Sequence, residues 1–359
     1  MRVILSGGGT GGHITPALAI AEELHRRNID VEILYVGKKG GLEEQLVQEE
    51  GVPFRGIDVA GLPRKAINRQ TVMSGLALMK GLAQCRGIIK KFRPDVVVGT
   101  GGYVCAPILL SAQRAKIPTL IQEQNAYPGK TNRFLGKRAD AIALNFEQAR
   151  GYFPENARIL LTGNPIGRRF LENPWIHEGH EGRRVLSFGG SGGQESTNDA
   201  ILEMLKSPLD FHLTHITGKP HYEAFMEALG EVPENVEILP YSLDIPRIMG
   251  QSDLVIASSS AMTLAEISAL KRPSILIPKA YTAGDHQTRN AYAVKEKGAA
   301  VVIEEKDLTS EVLRDEITRI LDNPLLAEEM GAIAGTLGNP HAVEEIVDVL
   351  FELAGVSHE

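Results

Sequence analysis

The 359-residue sequence has only two cysteines, one tryptophan and 5% aromatic residues. Cys85 and Cys105 show no metal-type spacing and give no disulfide framework, which suits a reducing compartment. No run approaches the roughly 18 apolar residues of a membrane span, and Val3 to Leu5 is too short for the core of a secretion signal, so a cytoplasmic setting is expected. No Asp-x-Asp occurs to hold a metal on a diphosphate. His212 and His215 lie three apart on a strand-like run, which puts them on opposite faces, and His177 and His180 fall in a polar linker. No visible motif requires a metal or any other cofactor.

What is present is length enough for two domains and an uneven charge. The net charge is −7, yet residues 1–160 carry 22 Lys and Arg against 14 Asp and Glu, and the remainder 16 against 31. A basic half can meet an anionic surface, although such a split also arises on solvated faces without purpose.

Glycine is concentrated where strands hand over to helices. Arg2-Val3-Ile4-Leu5 leads into Ser6-Gly7-Gly8-Gly9-Thr10-Gly11-Gly12-His13-Ile14-Thr15-Pro16 and then a helical pattern over Pro16 to Arg27. Val185 to Phe188 leads likewise into Gly189-Gly190-Ser191-Gly192-Gly193-Gln194. Such loops bring backbone N–H groups close to a ligand, and the helix start behind them favours negative charge, so phosphate is the first expectation.

Each half adds strand-like runs ending in small residues, Val96 to Tyr103 in the first and Leu254 to Ala261 in the second. Strands alternating with helices predict parallel sheets covered on both faces. We therefore expect an α/β chain with two Rossmann-like domains facing across a cleft, with ligands beyond the carboxyl ends of the strands. The expected divisions are residues 1–163, 164–340 and a final helical segment, 341–359, packing between the domains.

Gly7, Gly9 and Gly12 satisfy G-x-G-x-x-G, but the second strand ends Tyr35-Val36-Gly37-Lys38-Lys39 without the acid that a nicotinamide dinucleotide site expects. His13 stands at or just before a helix start, where the dipole disfavours imidazolium, making it a candidate general base as well as an ordinary surface histidine. Glu266 suits either a capping box with Thr263 or a ribose diol. His286 and Gln287 open the next helix with groups suited to sugar hydroxyls. Between Gly61 and Arg93, residues 72–83 are apolar nearly all round and are flanked by cations, which fits a buried helix or a shallow membrane-surface contact.

Taken together these stretches resemble the MurG family, bacterial N-acetylglucosaminyltransferases of peptidoglycan synthesis with GT-B architecture. The resemblance spans essentially the whole chain and rests on Gly8 to His13, Gly99 to Val104, Glu123-Gln124-Asn125, Thr162 to Pro165, Gly189-Gly190-Ser191 and Ala261 to Glu266. Three stretches differ from the family's usual wording: Ile166-Gly167-Arg168, Gly192 in the second glycine loop, and Ser258-Ser259-Ser260.

The resemblance implies inverting transfer of GlcNAc from UDP-GlcNAc to the C4 hydroxyl of MurNAc in lipid I, giving lipid II. It implies His13, Glu123 and Asn125 as catalytic residues. Donor contacts would come from Thr10, Gly11, Gly12, His13, Asn125, Arg168, Ser191, Asn198, Met262, Thr263, Leu264, Glu266, His286 and Gln287. Acceptor contacts would come from Gly11, Gly12, Gly101, Gly102, Tyr103 and Asn132. Membrane contact would fall to Arg64, Lys65, Arg69, Val72, Leu76 and Met79, at the cytoplasmic face of the cell membrane. Cell-wall synthesis or division proteins are implied partners, and nucleic acid is not. Another GT-B transferase and a UDP-GlcNAc 2-epimerase are the competing readings.

Overall fold

The computed structural model describes residues 1–27, 30–61, 69–172, 182–190 and 192–356, with only the backbone described for residues 69–76 and 283. It divides into two compact units, residues 1–167 with 341–359, and residues 168–340.

In the first unit the described strands are β1 (Arg2–Gly7), β2 (Glu32–Lys38), β3 (Phe54–Ile57), β4 (Val96–Gly101), β5 (Thr119–Glu123), β6 (Ala141–Leu144) and β7 (Ile159–Leu161). They form one parallel sheet in the order β3-β2-β1-β4-β5-β6-β7. Val3 to Leu5 and Val96 to Val98 are wholly buried, as expected of central parallel strands covered on both faces. The helices are α1 (Gly11–Arg26), α2 (Leu42–Glu49), α3 (Arg69–Phe92), α4 (Ala106–Arg114) and α5 (Lys130–Leu135).

One feature differs from the sequence expectation. Helix α1 starts at Gly11, five residues before Pro16, so His13 lies in its first turn and Pro16 lies inside the helix. Pro16 has no N–H, so it cannot make the usual bond to the Gly12 carbonyl. The final helix, Ala342–Ala354, was expected to pack between the domains. Its apolar face completes the first unit's core: Val343, Ile346, Val347, Leu350 and Phe351 join Ile20 and Leu24 of α1. Arg27 reaches Asp348 at 2.7 Å and Arg158 reaches Glu352 at 2.5 Å along the same contact.

The second unit repeats the plan with β8 (Arg184–Phe188), β9 (His212–Ile216), β10 (Val236–Leu239), β11 (Leu254–Ala257), β12 (Ser274–Leu276) and β13 (Ala300–Val302). Their order is β10-β9-β8-β11-β12-β13, again all parallel. Helices α6 (Arg168–Leu171), α7 (Glu195–Met204), α8 (Tyr222–Leu229), α9 (Ile245–Gly250), α10 (Ala261–Ala269), α11 (His286–Lys295), α12 (Ser310–Leu321) and α13 (Pro324–Leu337) accompany them. In each unit the chain reverses its winding between the first and fourth strands, β1 and β4 or β8 and β11. The carboxyl ends of the strands at such a reversal are the usual ligand position in these sheets.

Among the second unit's buried groups His215 has a consequence for stability. Its ring is wholly buried beside Phe225, with Nε2 3.1 Å from Asn198 Oδ1. Burial pushes its pKa down to about 4 from 6.5. The unfolded chain binds this proton near pH 6.5 and the folded chain does not, so stability falls with pH between those values, by about 1.4 kcal/mol per unit. Urea unfolding from pH 6.5 to pH 4.5 should therefore show a steeper loss in the wild type than in His215→Asn. Equal slopes would place the titration elsewhere.

Candidate active site

In the first unit that position is formed by the loop after β1 and the loop after β4. Not every glycine there serves the same end. A Cβ on Gly7 would lie 2.1 Å from Thr100 Oγ1, and one on Gly8 would lie 2.6 Å from the Glu43 carboxyl. Gly7, where a Cβ would also lie 2.4 Å from the His13 carbonyl oxygen, is therefore required by the fold itself, whereas Gly8 leaves room for the Glu43 carboxyl. Around Gly11 a Cβ would meet nothing within 4 Å, and at Gly12 only Thr10 Oγ1 at 4.0 Å. These two glycines open the start of α1 to whatever stands in front of it. The first four N–H groups of a helix have no intrahelical partner, and the first turn of α1 carries no acidic residue. An anionic group fits there.

His13 is held against both loops. A Cβ on Gly101, at φ 113°, would come within 2.7 Å of the ring, and one on Gly102, at φ 81°, within 2.2 Å of the Gly8 carbonyl. The tight fit between β4 and α1 thus depends on those glycines. His13 Nδ1 lies 3.2 Å from the Gly8 carbonyl and 3.1 Å from Thr10 Oγ1. A carbonyl only accepts, so Nδ1 carries the hydrogen and the neutral ring has its lone pair on Nε2. Thr100 Oγ1 donates to the His13 carbonyl at 2.5 Å, fixing the backbone below. Tyr103 is half-buried and packs beside Gly9 and Gly61.

Glu123, at the end of β5, is 1% exposed. Its Oε1 accepts from the Asn125 N–H at 3.0 Å and Asn125 Nδ2 at 3.1 Å. Its Oε2 accepts from the Gly129 N–H at 3.1 Å and Asn132 Nδ2 at 2.9 Å. Burial pushes its pKa up, against the pull of these donors. A carboxylate so placed shapes the loop carrying Asn125 and does not present itself to a substrate. This revises the expectation that Glu123 acts directly in catalysis. Asn132 is 2% exposed, and its Nδ2 is spent on Glu123 and the Gln122 carbonyl, so the expected acceptor contact from that nitrogen is replaced by loop support.

Sequence reasoning missed Glu43, Thr100, Gln122 and Gln124. Glu43 Oε1 accepts from the Lys38 N–H at 2.8 Å and Oε2 from the Gly9 N–H at 3.4 Å. An acid does therefore follow β2, from the first turn of α2, but it is spent on backbone and unavailable to a ribose. Gln124 Nε2 donates to the Thr100 carbonyl at 2.6 Å and to Gln122 Oε1, while Gln122 Nε2 donates to Asn164 Oδ1 at 2.9 Å. The adjacent motifs were visible in the sequence. A pairing across 42 residues was not.

In the second unit the loops after β8, β11, β12 and β13 are hydrogen-bonded together. Ser259 Oγ donates to the Gln287 carbonyl at 2.8 Å, and Gln287 Oε1 accepts from the Lys279 N–H at 3.0 Å. Glu305 accepts from Gln194 Nε2 at 2.8 Å, Ser196 Oγ at 2.6 Å and the Ala280 N–H at 2.6 Å. Gly192 faces open space, whereas Gly193, at φ 73°, could not carry a Cβ beside the Thr217 carbonyl.

Helix α10 is capped by Ser260, whose Oγ accepts from the Thr263 N–H at 3.2 Å. The capping box with Glu266 is therefore not used. Glu266 is half-buried and its carboxyl has no hydrogen-bonding partner among the described residues, and desolvation pushes its pKa up to about 8. Such a carboxyl is poised to receive donated hydrogen bonds.

The other expected donor residues are placed less directly. The side chains of Met262, Thr263 and Leu264 are buried, so a contact from this turn would come from backbone rather than side chain. Asn198 is also buried, spent on His215 and on the Thr217 carbonyl at 3.1 Å. Arg168 pairs with Glu172, just past the end of its own short helix. His286 is half-buried in the first turn of α11. Ser191, Arg64 and Lys65 lie outside the described residues, as do the side chains of Arg69, Val72 and Leu76. Met79 is 67% exposed.

Two Rossmann-type units with paired small-residue loops at the switch points have the GT-B architecture, and the chain's family models make it a glycosyltransferase. The family model of the glycosyltransferase family 28 N-terminal domain matches residues 3–144, and that of the C-terminal domain matches residues 184–346.

The chain is 42% identical, over 98% of both lengths, to the UDP-N-acetylglucosamine–N-acetylmuramyl-(pentapeptide) pyrophosphoryl-undecaprenol N-acetylglucosamine transferase of Acetivibrio thermocellus. It is 40% identical to the enzyme of that name from Clostridioides difficile, over 98% of this chain and 89% of that one. The crystal structure of Acinetobacter baumannii MurG superposes with a TM-score of 0.79 at 28% identity, covering 98% of this chain and 99% of that one. The chain belongs to the MurG family. A UDP-GlcNAc 2-epimerase from Neisseria meningitidis shares the fold at 14% identity and a TM-score of 0.65, over 98% of this chain and all of that one.

Proposed function

We infer that the protein transfers GlcNAc from UDP-GlcNAc to the C4 hydroxyl of MurNAc in undecaprenyl-pyrophosphoryl-MurNAc-pentapeptide, lipid I, and so forms lipid II. The observation that carries this reading is near-full-length identity of about 40% to transferases named for that reaction. Incubation with UDP-GlcNAc and a lipid I analogue should release UDP only when both are present. Epimerised UDP-sugar formed from UDP-GlcNAc alone would replace this reading with the 2-epimerase.

Inverting transfer needs a base on the incoming hydroxyl and stabilisation of charge on departing UDP, across an oxocarbenium-like transition state. The Nε2 lone pair of His13 takes the C4 proton. Asn125, shaped by Glu123, contacts the reacting sugar. Gly11 and Gly12, at the opened start of α1, meet the acceptor's pyrophosphate, with Gly101, Gly102 and Tyr103 beside it. Glu266 accepts the ribose hydroxyls, and His286 with Gln287 meets the GlcNAc hydroxyls. Loop amides and helix starts supply the charge stabilisation, so this route calls on no resident metal.

The role of Glu266 sets a pH dependence. A ribose diol can donate both hydroxyls to the carboxylate, a stronger acceptor than the acid, which keeps one acceptor oxygen and carries a donor, so donor binding favours the ionised form. With the free-protein pKa at about 8, UDP affinity should rise with pH below pH 8, by up to about tenfold per unit, and level off above it. Calorimetric titrations from pH 6.5 to 9 should show this slope, and Glu266→Gln should flatten it. A slope kept in the variant would assign the titration to another group.

We place the protein on the cytoplasmic face of the membrane, held peripherally by the basic, apolar stretch after Gly61. The exposed Met79 and the surplus of cations in residues 1–160 support this placement, as does the finding that no described helix is long and apolar enough to cross a membrane. Reversing Arg64, Lys65 and Arg69 to Glu should weaken sedimentation with anionic vesicles, and unchanged sedimentation would remove this role. Cell-wall synthesis or division proteins are the partners we propose at that surface.

A further inference from the structure

The loops proposed to hold UDP-GlcNAc have an unusual charge composition. Neither Gly189 to Gln194 nor Ser258 to Leu264 contains a lysine or arginine, and neither does Ala280 to Gln287. A nucleoside diphosphate brings concentrated negative charge into a unit whose own charge is acidic, since residues 161–359 carry 31 Asp and Glu against 16 Lys and Arg. Within these loops only backbone amides and helix starts are left to offset both.

Lys279 stands where these loops converge. It follows β12 at the carboxyl end of the sheet, and its Nζ donates to the Gly193 carbonyl of the second glycine loop at 2.6 Å. Its own N–H holds the Gln287 side-chain oxygen at 3.0 Å. The ammonium makes no ion pair among the described residues. Glu305, the nearby carboxylate, accepts three bonds from neutral donors instead. Partial burial lowers the lysine pKa, with Glu305 opposing the shift. A half-buried ammonium resting on a peptide carbonyl has its charge largely unspent, and a phosphate oxygen is a stronger acceptor than a carbonyl.

We infer that Lys279 is the cation of the donor site, neutralising the diphosphate of the nucleotide-sugar from the loop after β12. The inference rests on reading the second unit as the donor domain. A flexible lysine at this position acts as a point charge on phosphate and at the same time ties the glycine loop to the loop that carries Gln287.

The test compares UDP with uridine, which share the base and ribose but not the charge, by calorimetry on the full chain. Lys279→Met should weaken UDP binding tenfold or more while uridine binding stays within about twofold, and Lys279→Arg should keep most of the UDP affinity. In the wild type, UDP affinity should fall with added salt and uridine affinity should not, a measurement that needs no variant. Equal losses for UDP and uridine in Lys279→Met would make the residue a loop tie only and overturn the inference, as would unchanged UDP affinity. Failure of the wild type to bind either ligand would overturn the donor-domain reading itself, and the inference with it.

Discussion

His13→Ala lowers kcat for GlcNAc transfer by about 10²- to 10⁴-fold, the usual worth of a positioned general base, while UDP-GlcNAc affinity changes little. The geometry argues for this split. Nδ1 is committed to the Gly8 carbonyl and Thr10, so the ring is fixed in the tautomer that accepts at Nε2. Gly101 and Gly102 close around it so tightly that a side chain at either place would collide with the ring or the neighbouring loop. His13→Gln keeps a polar group of similar reach but supplies no comparable base, so it should be almost as slow. Steady-state kinetics with a lipid I analogue, alongside calorimetry with UDP-GlcNAc, checks both halves. Loss of donor binding with kcat preserved would move His13 from proton transfer to donor recognition.

Glu123→Ala should cost about 3 kcal/mol of stability and also slow turnover, through Asn125. Four N–H donors converge on this buried carboxylate, and its removal leaves buried donors unpaired, each at a cost of about 1–3 kcal/mol before water or rearrangement compensates. Glu123→Gln preserves the volume but turns an amide NH₂ toward groups that can only donate, so it should recover only part of the loss. Denaturant unfolding measures the first effect. The second is separated by turnover measured well below each variant's unfolding midpoint. A Glu123→Ala protein as stable as the wild type, yet inactive, would return the carboxylate to a direct chemical role.

Much of the fold was legible because its strongest signals are local. Val3 to Leu5, Val96 to Val98 and Leu254 to Ala257 are apolar, β-rich and bounded by glycine or serine, so their burial and the repeat of the plan could be read directly. The edges of the second sheet, Val236 to Leu239 and Ala300 to Val302, could be read too, but those of the first could not. β3 contains Arg55 and Gly56, and β7 has only three residues, because an edge strand needs neither a full apolar run nor length. The start of α1 was misplaced because Pro16 looks like a first-turn proline, whereas the helix tolerates it farther in.

At the site, residue types pointed to the right loops but could not separate chemistry from support. Glu123 and Asn198 have the functional groups of ligand contacts, and only their partners reveal that they are spent inside the protein. Lys279 was overlooked for the opposite reason: a lone lysine after a strand carries no motif, and its place beside Gly193 arises from contact across 86 residues.

The central claim is a single inverting displacement from UDP-GlcNAc onto lipid I. Transfer of labelled GlcNAc to a lipid I analogue, with the product's linkage determined by nuclear magnetic resonance, tests it most directly. The account predicts one GlcNAc joined in the β configuration to the C4 oxygen of MurNAc, formed from the α-linked donor. An α-linked product, a linkage to another hydroxyl, or no transfer would contradict it.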